Sequence, residues 1–346
     1  MITRYGATRD ELQNLLSTEP RYRVDQVWKG LYTELNAPED MTALPKALRA
    51  QLSEGLPNSL MLIDEVISDD DTTIKFLWQL DGGSRIETVL MIYPDRATVC
   101  VSTQAGCAMA CGFCATGQAG FTRHLTAGEI IEQVVRASQR AKGMDRRVSN
   151  VVYMGMGEPL ANEEPVWESI VRLHEDVGLS ARHLTVSTVG IVPGINRLAS
   201  RPLPVNLAVS LHAANDSLRD ALVPINRRYP IKALMEACSN FLESKNRRLT
   251  FEWALISEVN DKPSDAIELA QLCRSFRVPA HVNLIPLNPT PGYSVKGSSR
   301  NHVQAFCDQL VSMGANATVR RNRGTDIAAA CGQLAAGQPV QITRSK

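Results

Sequence analysis

From residue 97 to residue 320 the chain alternates short β-type runs with stretches of helical period, an order that few folds accommodate. Strands are expected at 97–102, 150–154, 183–187, 205–211, 249–255, 280–286 and, more briefly, 317–320, with helical patterns between most of them. Such alternation implies a parallel α/β sheet with crossover helices, wound either as an open doubly wound sheet or as a barrel. In a barrel, the loops that follow the strands form the active face.

Two smaller stretches precede that core. Helical spacing at 9–16, 24–35 and 45–52, broken by prolines, marks residues 1–60 as a small helical module. Residues 61–93 read as strands joined by turns, with Asp81-Gly82-Gly83 as a hairpin signal, and the α/β core runs from 94 to 346. A hydrophobic content of 44% over 346 residues suffices for one barrel and a small accessory domain. No apolar run has the length of a membrane span, and the start lacks a basic-then-apolar signal, so the eight cysteines are expected in the reducing cytosol.

A formal net charge of +1 gives no global attraction to nucleic acid and leaves only local patches. These are Arg140, Lys142, Arg146 and Arg147; Arg227 and Arg228; Arg247 and Arg248; and Arg320, Arg321 and Arg323. Taken singly, each is a solvated surface. Only convergence on one pocket would make them an RNA footprint.

Directly after the first expected strand stand Cys107, Cys111 and Cys114, a C-x3-C-x2-C triplet with no fourth cysteine nearby. A structural zinc site closes with four ligands, whereas three thiolates can hold three irons of a 4Fe-4S cluster and leave the fourth iron open to a substrate. Thr126-Ala-Gly-Glu129 is a capping-box pattern that fixes where the following helix begins. Gly155-Met-Gly-Glu-Pro159 alone is an ordinary turn, but it follows the second strand and so shares a face with the triplet. Cys238, Cys273 and Cys307 sit among helical core positions and read as small hydrophobes.

The triplet, the helix after it and the Gly-Met-Gly-Glu-Pro run resemble the radical S-adenosylmethionine (SAM) superfamily. With Arg85-Ile-Glu-Thr-Val89, Cys100 to Cys107, Ser187-Thr-Val-Gly190, Asn206 to His212, Asn283 to Asn288 and Arg323 to Leu334, nearly the whole chain resembles the RlmN family. Those enzymes are dual-specificity methyltransferases acting on an adenine of large-subunit rRNA and, in some members, of tRNA. The resemblance implies a partial (β/α)6 barrel with a small N-terminal helical accessory domain and a short β extension. It implies a 4Fe-4S cluster on Cys107, Cys111 and Cys114, with SAM chelating the open iron. Glu158 then meets the SAM ammonium, Gly155 and Gly157 let backbone approach the ligand, and Ser187, Ser210, Leu211, His212 and Asn288 fall in the stretches that meet its carboxylate and ribose.

For catalysis the resemblance assigns roles to Cys331, Cys100 and Glu87. One SAM methylates Cys331, and a second is cleaved to a 5′-deoxyadenosyl radical that takes hydrogen from that methyl group. The methylene radical adds to carbon 2 of adenine, Glu87 accepts the ring proton, and Cys100 releases the crosslink as a transient Cys100–Cys331 disulfide. Two SAM molecules serve each turnover. A flavodoxin-type electron donor, a cytoplasmic location and a monomeric enzyme complete the expectation. Two other readings share part of this evidence: a Cfr-type enzyme that methylates carbon 8 of the same adenine and confers antibiotic resistance, and a noncatalytic zinc-stabilised RNA-binding module. One departure is Val189, where the family often has a second serine.

Overall fold

The computed structural model describes residues 2–290 and 292–337. Helices α1 (Arg9–Leu15), α2 (Tyr22–Tyr32) and α3 (Lys46–Gly55) form where helical spacing is expected. Strands β1 (Leu60–Ile67), β2 (Thr73–Leu80) and β3 (Arg85–Ile92) follow as an antiparallel meander, and the Asp81-Gly82-Gly83 hairpin closes with Leu80 N donating to Ser84 O at 2.8 Å. β3 then pairs antiparallel with β4 (Ala97–Cys100), so the meander is continuous with the core sheet.

After β4 come β5 (Gln104–Gly106), α4 (Ala115–Gln118), β6 (Phe121–His124), α5 (Ala127–Lys142), β7 (Val148–Tyr153), α6 (Glu163–Glu175), β8 (Leu184–Thr188) and α7 (Val192–Ser200). The chain continues through β9 (Asn206–Ser210), α8 (Asp216–Leu222), α9 (Ile231–Lys245), β10 (Leu249–Leu255), α10 (Pro263–Arg274), β11 (His281–Pro286), α11 (Arg300–Ser312) and β12 (Asn316–Val319). The seven expected core strands all appear. The first ends two residues early: after Val101 N makes its bond to Val152 O on β7, Val101 O accepts from Gly155 N and Thr103 N bonds Met156 O, both beyond the end of β7.

Strand order decides between the two windings. β4, β7, β8, β9, β10, β11 and β12 pair in parallel and in chain order. A doubly wound sheet reverses its order at a switch point, so sequential pairing identifies barrel-type winding. β1 and β12 are the edges of the ten-stranded sheet, which leaves the barrel partial.

Period-two alternation then separates two faces. Val151, Val186, Leu207, Val209, Phe251, Trp253, Val282 and Leu284 are fully buried, and the outer helices meet this layer, with Trp253 and Phe306 of α11 6.2 Å apart at their ring centres. Truncating an aromatic in such a layer costs about 3–5 kcal/mol. Positions between them, including Thr185, Ser187, Ser210, Thr250, Glu252 and Asn283, face the lumen. The sheet therefore keeps a dry outside and a polar inside.

The N-terminal helices pack on this frame as part of the same hydrophobic cluster. Arg172 of α6 donates to Tyr5 O at 2.8 Å and Ala7 O at 3.0 Å, and Trp28 Nε1 donates to Asp176 at 2.8 Å. α5 starts at the expected box: Thr126 Oγ1 accepts from Glu129 N, and the Glu129 carboxylate accepts from Thr126 N. One turn on, fully buried Gln133 accepts from Ser102 N and Thr88 Oγ1, both at 2.8 Å, and donates to Ser102 O at 3.0 Å. It thereby fixes the backbone that leads from β4 to the cysteine loop. Gln133→Ala strands the Ser102 amide and carbonyl in a dry site, and chemical denaturation should record a loss of about 3 kcal/mol.

Candidate active site

Backbone bonds hold the loop after β7 against the stretch that leads into the cysteine loop. Gly155 N donates to Val101 O at 3.0 Å, Thr103 N and Gln104 N donate to Met156 O, and Gln104 Oε1 accepts from Glu158 N at 2.9 Å. A Cβ on Gly155 would lie 2.7 Å from the Val101 carbonyl and 2.8 Å from Ser102 N, and Gly157, at φ 103°, would drive one to 2.6 Å from Gln104. Both positions need glycine because the two loops lie in backbone contact.

A cavity of about 150 Å³ opens at this junction. Cys107, Cys111, Cys114, Gly157, Glu158, Ser187, Ser210, His212, Asn288 and Cys331 all line it, although they come from six separate loops or strand ends. Leu211 is buried behind it and contributes backbone, its N–H to Glu252 O. Among the described residues, no three His, Cys, Asp or Glu side chains converge tightly enough to chelate one ion. The three thiols all line the cavity, and a cluster in which each thiolate takes its own iron does not require them to meet at a single ion. Burial pushes Cys107 up to about 12 and Cys111 well above the ordinary range, so without a cation both are neutral thiols.

Glu158 is buried and its oxygens accept from Leu160 N at 3.0 Å and Val189 N at 2.8 Å. It ties the β7 loop to the β8 loop, and burial raises its carboxyl to about 7. The remaining lone pairs are what it can offer an ammonium. His212 has φ 58° and its Nδ1 accepts from Ala254 N at 3.0 Å. Burial, aided by Arg219, lowers it to about 3, so the ring is neutral and Nε2 carries the proton, making it a donor for the cavity it lines. Phe113 meets the ring edge-on at 4.8 Å.

Cys331 rides on a segment that closes the cavity from the C-terminal side. Ala115 N donates to Gly332 O at 2.8 Å, Thr116 Oγ1 to Leu334 O at 2.6 Å, and Asn288 Nδ2 to Cys331 O at 3.1 Å. Asn288 therefore positions this segment as well as lining the cavity. Glu87 lies in neither cavity: its carboxylate accepts from Ala335 N and Ala336 N at 2.9 and 3.0 Å and pairs with Lys75 at 3.2 Å, holding the same segment from behind.

A second cavity adjoins the first, and Cys331 and Cys114 belong to both. Its walls include Cys100, Met91 and Tyr93, with Arg320, Arg321 and Arg323. Cys100 and Cys331 are both free, burial pushing Cys100 up to about 12. Cys331 is likewise raised by the protein around it, and the Arg320 charge pulls it back. Arg320 is held by Glu252 at 3.3 Å, which in turn accepts from Asn283 at 2.8 Å. Of the four basic groups, only 320–323 reaches these cavities: Arg140 pairs with Glu65, Lys142 bonds Glu34 O, and Arg247 bonds Asn206.

Sequence reasoning missed Gln104, Arg219 and Glu252. A glutamate in the otherwise apolar run of β10 was a readable signal, since a lone buried carboxylate needs a partner. Gln104 and Arg219 gave none.

Comparison with known proteins agrees with this geometry. Residues 101–270 match the radical SAM superfamily model. A probable dual-specificity RNA methyltransferase RlmN of Chloroflexus aurantiacus is 50% identical, with 98% of this chain and 94% of that protein aligned. One of the same description from Salinispora tropica is 50% identical over 92% of this chain and 88% of its own. The crystal structure of a radical SAM methyltransferase from Sphaerobacter thermophilus superposes with a TM-score of 0.92 at 50% identity, covering 97% of this chain and 100% of that one. HydG, a maturase of the [FeFe]-hydrogenase, shares the fold alone, at a TM-score of 0.51 and 12% identity.

The raised thiols carry a pH consequence. As ligands of a cluster, Cys107 and Cys111 would each have to shed a proton, so loading would release protons and its apparent affinity would rise with pH. Chelator competition against the reconstituted protein between about pH 6.5 and 8.5 should show the cluster held more firmly at the alkaline end. Retention independent of pH would contradict neutral thiols in the empty site.

Proposed function

The chain belongs to the RlmN family of dual-specificity RNA methyltransferases within the radical SAM superfamily, and from that premise we propose that it methylates carbon 2 of an adenine in large-subunit rRNA and in tRNA. The observation that carries this reading is the position of Cys331 on a wall common to two cavities. One holds the cluster thiols and the candidate SAM contacts, and the other combines Cys100 with an arginine-lined mouth.

Carbon 2 of adenine is electrophilic and has no acidic proton, so direct attack on the SAM methyl group fails. When bound, the cluster and SAM supply an electron and a 5′-deoxyadenosyl radical able to take hydrogen from a methyl group. The residues of the chain do the rest. Cys107, Cys111 and Cys114 hold the cluster, and Gly157, Glu158, Ser187, Ser210, Leu211, His212 and Asn288 orient SAM. Cys331 accepts a methyl group and carries it as a thioether into the second cavity. Arg320, fixed by Glu252, favours the thiolate needed for that acceptance. Cys100, kept as a thiol by burial, stays inert until the crosslink forms beside it. Glu87 takes the ring proton by giving up its hold on the segment behind Cys331.

The adenine must leave its stack to bring its ring edge against Cys331 on the cavity wall, which favours unpaired loops over duplex. Tyr93 lies at the second cavity with Arg323 4.3 Å from its ring centre and Arg96 at 4.5 Å, a cationic mouth suited to a phosphate backbone. Within the same proposal, residues 1–60 form an RNA-binding accessory domain, 61–93 a β extension and 94–346 the catalytic core. A flavodoxin-type protein is the electron donor, and the enzyme acts as a cytoplasmic monomer. No helix among the described residues is long and apolar enough to cross a membrane.

The test is anaerobic turnover on an rRNA fragment with mass spectrometry of the nucleosides, which separates methylation at carbon 2 from carbon 8. Cys331→Ala should bind cluster and SAM, acquire no methyl group and yield no modified adenine; methylated RNA from that variant would refute the assignment of Cys331. Cys100→Ala should accumulate a covalent protein–RNA adduct visible on denaturing gels. Normal turnover without adduct would remove Cys100 from the mechanism.

A further inference from the structure

We infer that Arg219 is the fixed counter-cation of the cluster site, setting the ease with which the cluster is reduced and holding the two loops that grip SAM in register. The inference rests on the functional reading above for its anionic occupant, and on the following geometry for the rest.

Arg219 of α8 is fully buried, yet no Asp or Glu side chain among the described residues lies within ion-pair distance of it. Its guanidinium is spent on neutral acceptors. Nε donates to Leu211 O at 3.1 Å, Nη1 to Asn226 Oδ1 at 2.9 Å, and Nη2 to Val189 O at 2.6 Å and Ser210 O at 3.3 Å. Asn226 is turned to present that oxygen because its Nδ2 donates to Asp216 at 2.9 Å and Asp220 at 2.6 Å. The two carboxylates thus reach Arg219 only through an amide.

Burying a charge without an ionic partner is costly, and the usual relief is loss of the charge. Arginine does not take that route: burial lowers this one only to about 10, so it remains a cation at neutral pH. The compensating negative charge has to come from what fills the site. α8 packs on the cysteine loop through a small apolar cluster that contains Cys111, Phe113, Ala213, Leu222 and Val223, with Leu218 and Val189 against it. The guanidinium therefore stands behind Cys111, in surroundings of low dielectric where charges act strongly on one another. Positive charge in the protein stabilises the reduced, more negative cluster and raises its potential.

The same four bonds have a mechanical result. Val189 lies two residues after Ser187, while Ser210 and Leu211 immediately precede His212, so one planar group bridges the loops after β8 and β9. A lysine at this position keeps the charge but cannot span all the acceptors.

The experiment uses the full chain, reconstituted anaerobically, and reads the cluster's midpoint potential by redox titration and SAM affinity by calorimetry. Arg219→Met should make the cluster harder to reduce by about tenfold in the reduced-to-oxidised ratio at fixed potential, about 59 mV for one electron, and should weaken SAM binding. Arg219→Lys should leave the potential near the parent value while SAM binding still falls about tenfold, a split that a merely structural role would not give. Asp220→Asn keeps the acceptor for Asn226 and removes a negative charge, so its cluster should be easier to reduce; this variant decides the matter if the methionine protein does not fold. Potentials that ignore both the charge at 219 and the charge at 220 would overturn the inference while the enzyme reading stands. A parent chain that assembles no cluster would overturn both.

Discussion

Backbone contact between residues 101–104 and 155–158 is the constraint on which the site depends. The two stretches lie so close that no side chain fits at Gly155, and three backbone bonds with one glutamine side chain lock them together. One stretch leads into the cysteine loop and the other carries Glu158, so the candidate cluster thiols and candidate SAM contacts are fixed relative to each other before any ligand arrives. Gln133 secures the pair from below through Ser102. Preorganisation of this kind matters because radical chemistry tolerates little error in the distance between the reacting atoms.

Electrostatics follows from the alternation of the strands. Their outer faces are dry and apolar, while the lumen collects Glu252, Asn283, Arg320 and the strand-end serines. Two buried or half-buried guanidiniums lie near thiols: Arg219 acts electrostatically on Cys111, and Arg320 on Cys331, with Glu252 to hold it. Burial keeps Cys107 and Cys100 protonated, whereas exposed Cys331 has the Arg320 charge drawing its thiol back down. The C-terminal segment with Cys331 is docked by short polar bonds from Thr116, Asn288 and Glu87 rather than by a strand or helix of its own.

Much of this was legible in the sequence because strands, glycines and cysteine spacing are local signals. The seven core strands, the capping box at Thr126 and Glu129 and the hairpin at Asp81 all lie where short-range patterns put them. The convergence of ten site residues on one cavity followed from barrel winding, once strand ends were recognised as the active face. What escaped is what depends on tertiary neighbours. Nothing local distinguishes buried Arg219 from a solvated helical arginine, and nothing in the run around Glu87 foretells that its carboxylate ties down residues 335 and 336. The arginine groups divided for the same reason: Arg320, Arg321 and Arg323 reach the cavities only because β12 runs beside β11, whereas Arg140 and Arg247 find partners elsewhere.

We propose that Cys107, Cys111 and Cys114 hold an iron-sulfur cluster with one iron open to SAM. The most direct measurement is iron and sulfide analysis of the anaerobically reconstituted chain, coupled to an assay for 5′-deoxyadenosine after one-electron reduction. The expected result is a brown protein with iron and sulfide in equal amounts that cleaves SAM when reduced. A colourless protein that retains zinc and leaves SAM intact would contradict it.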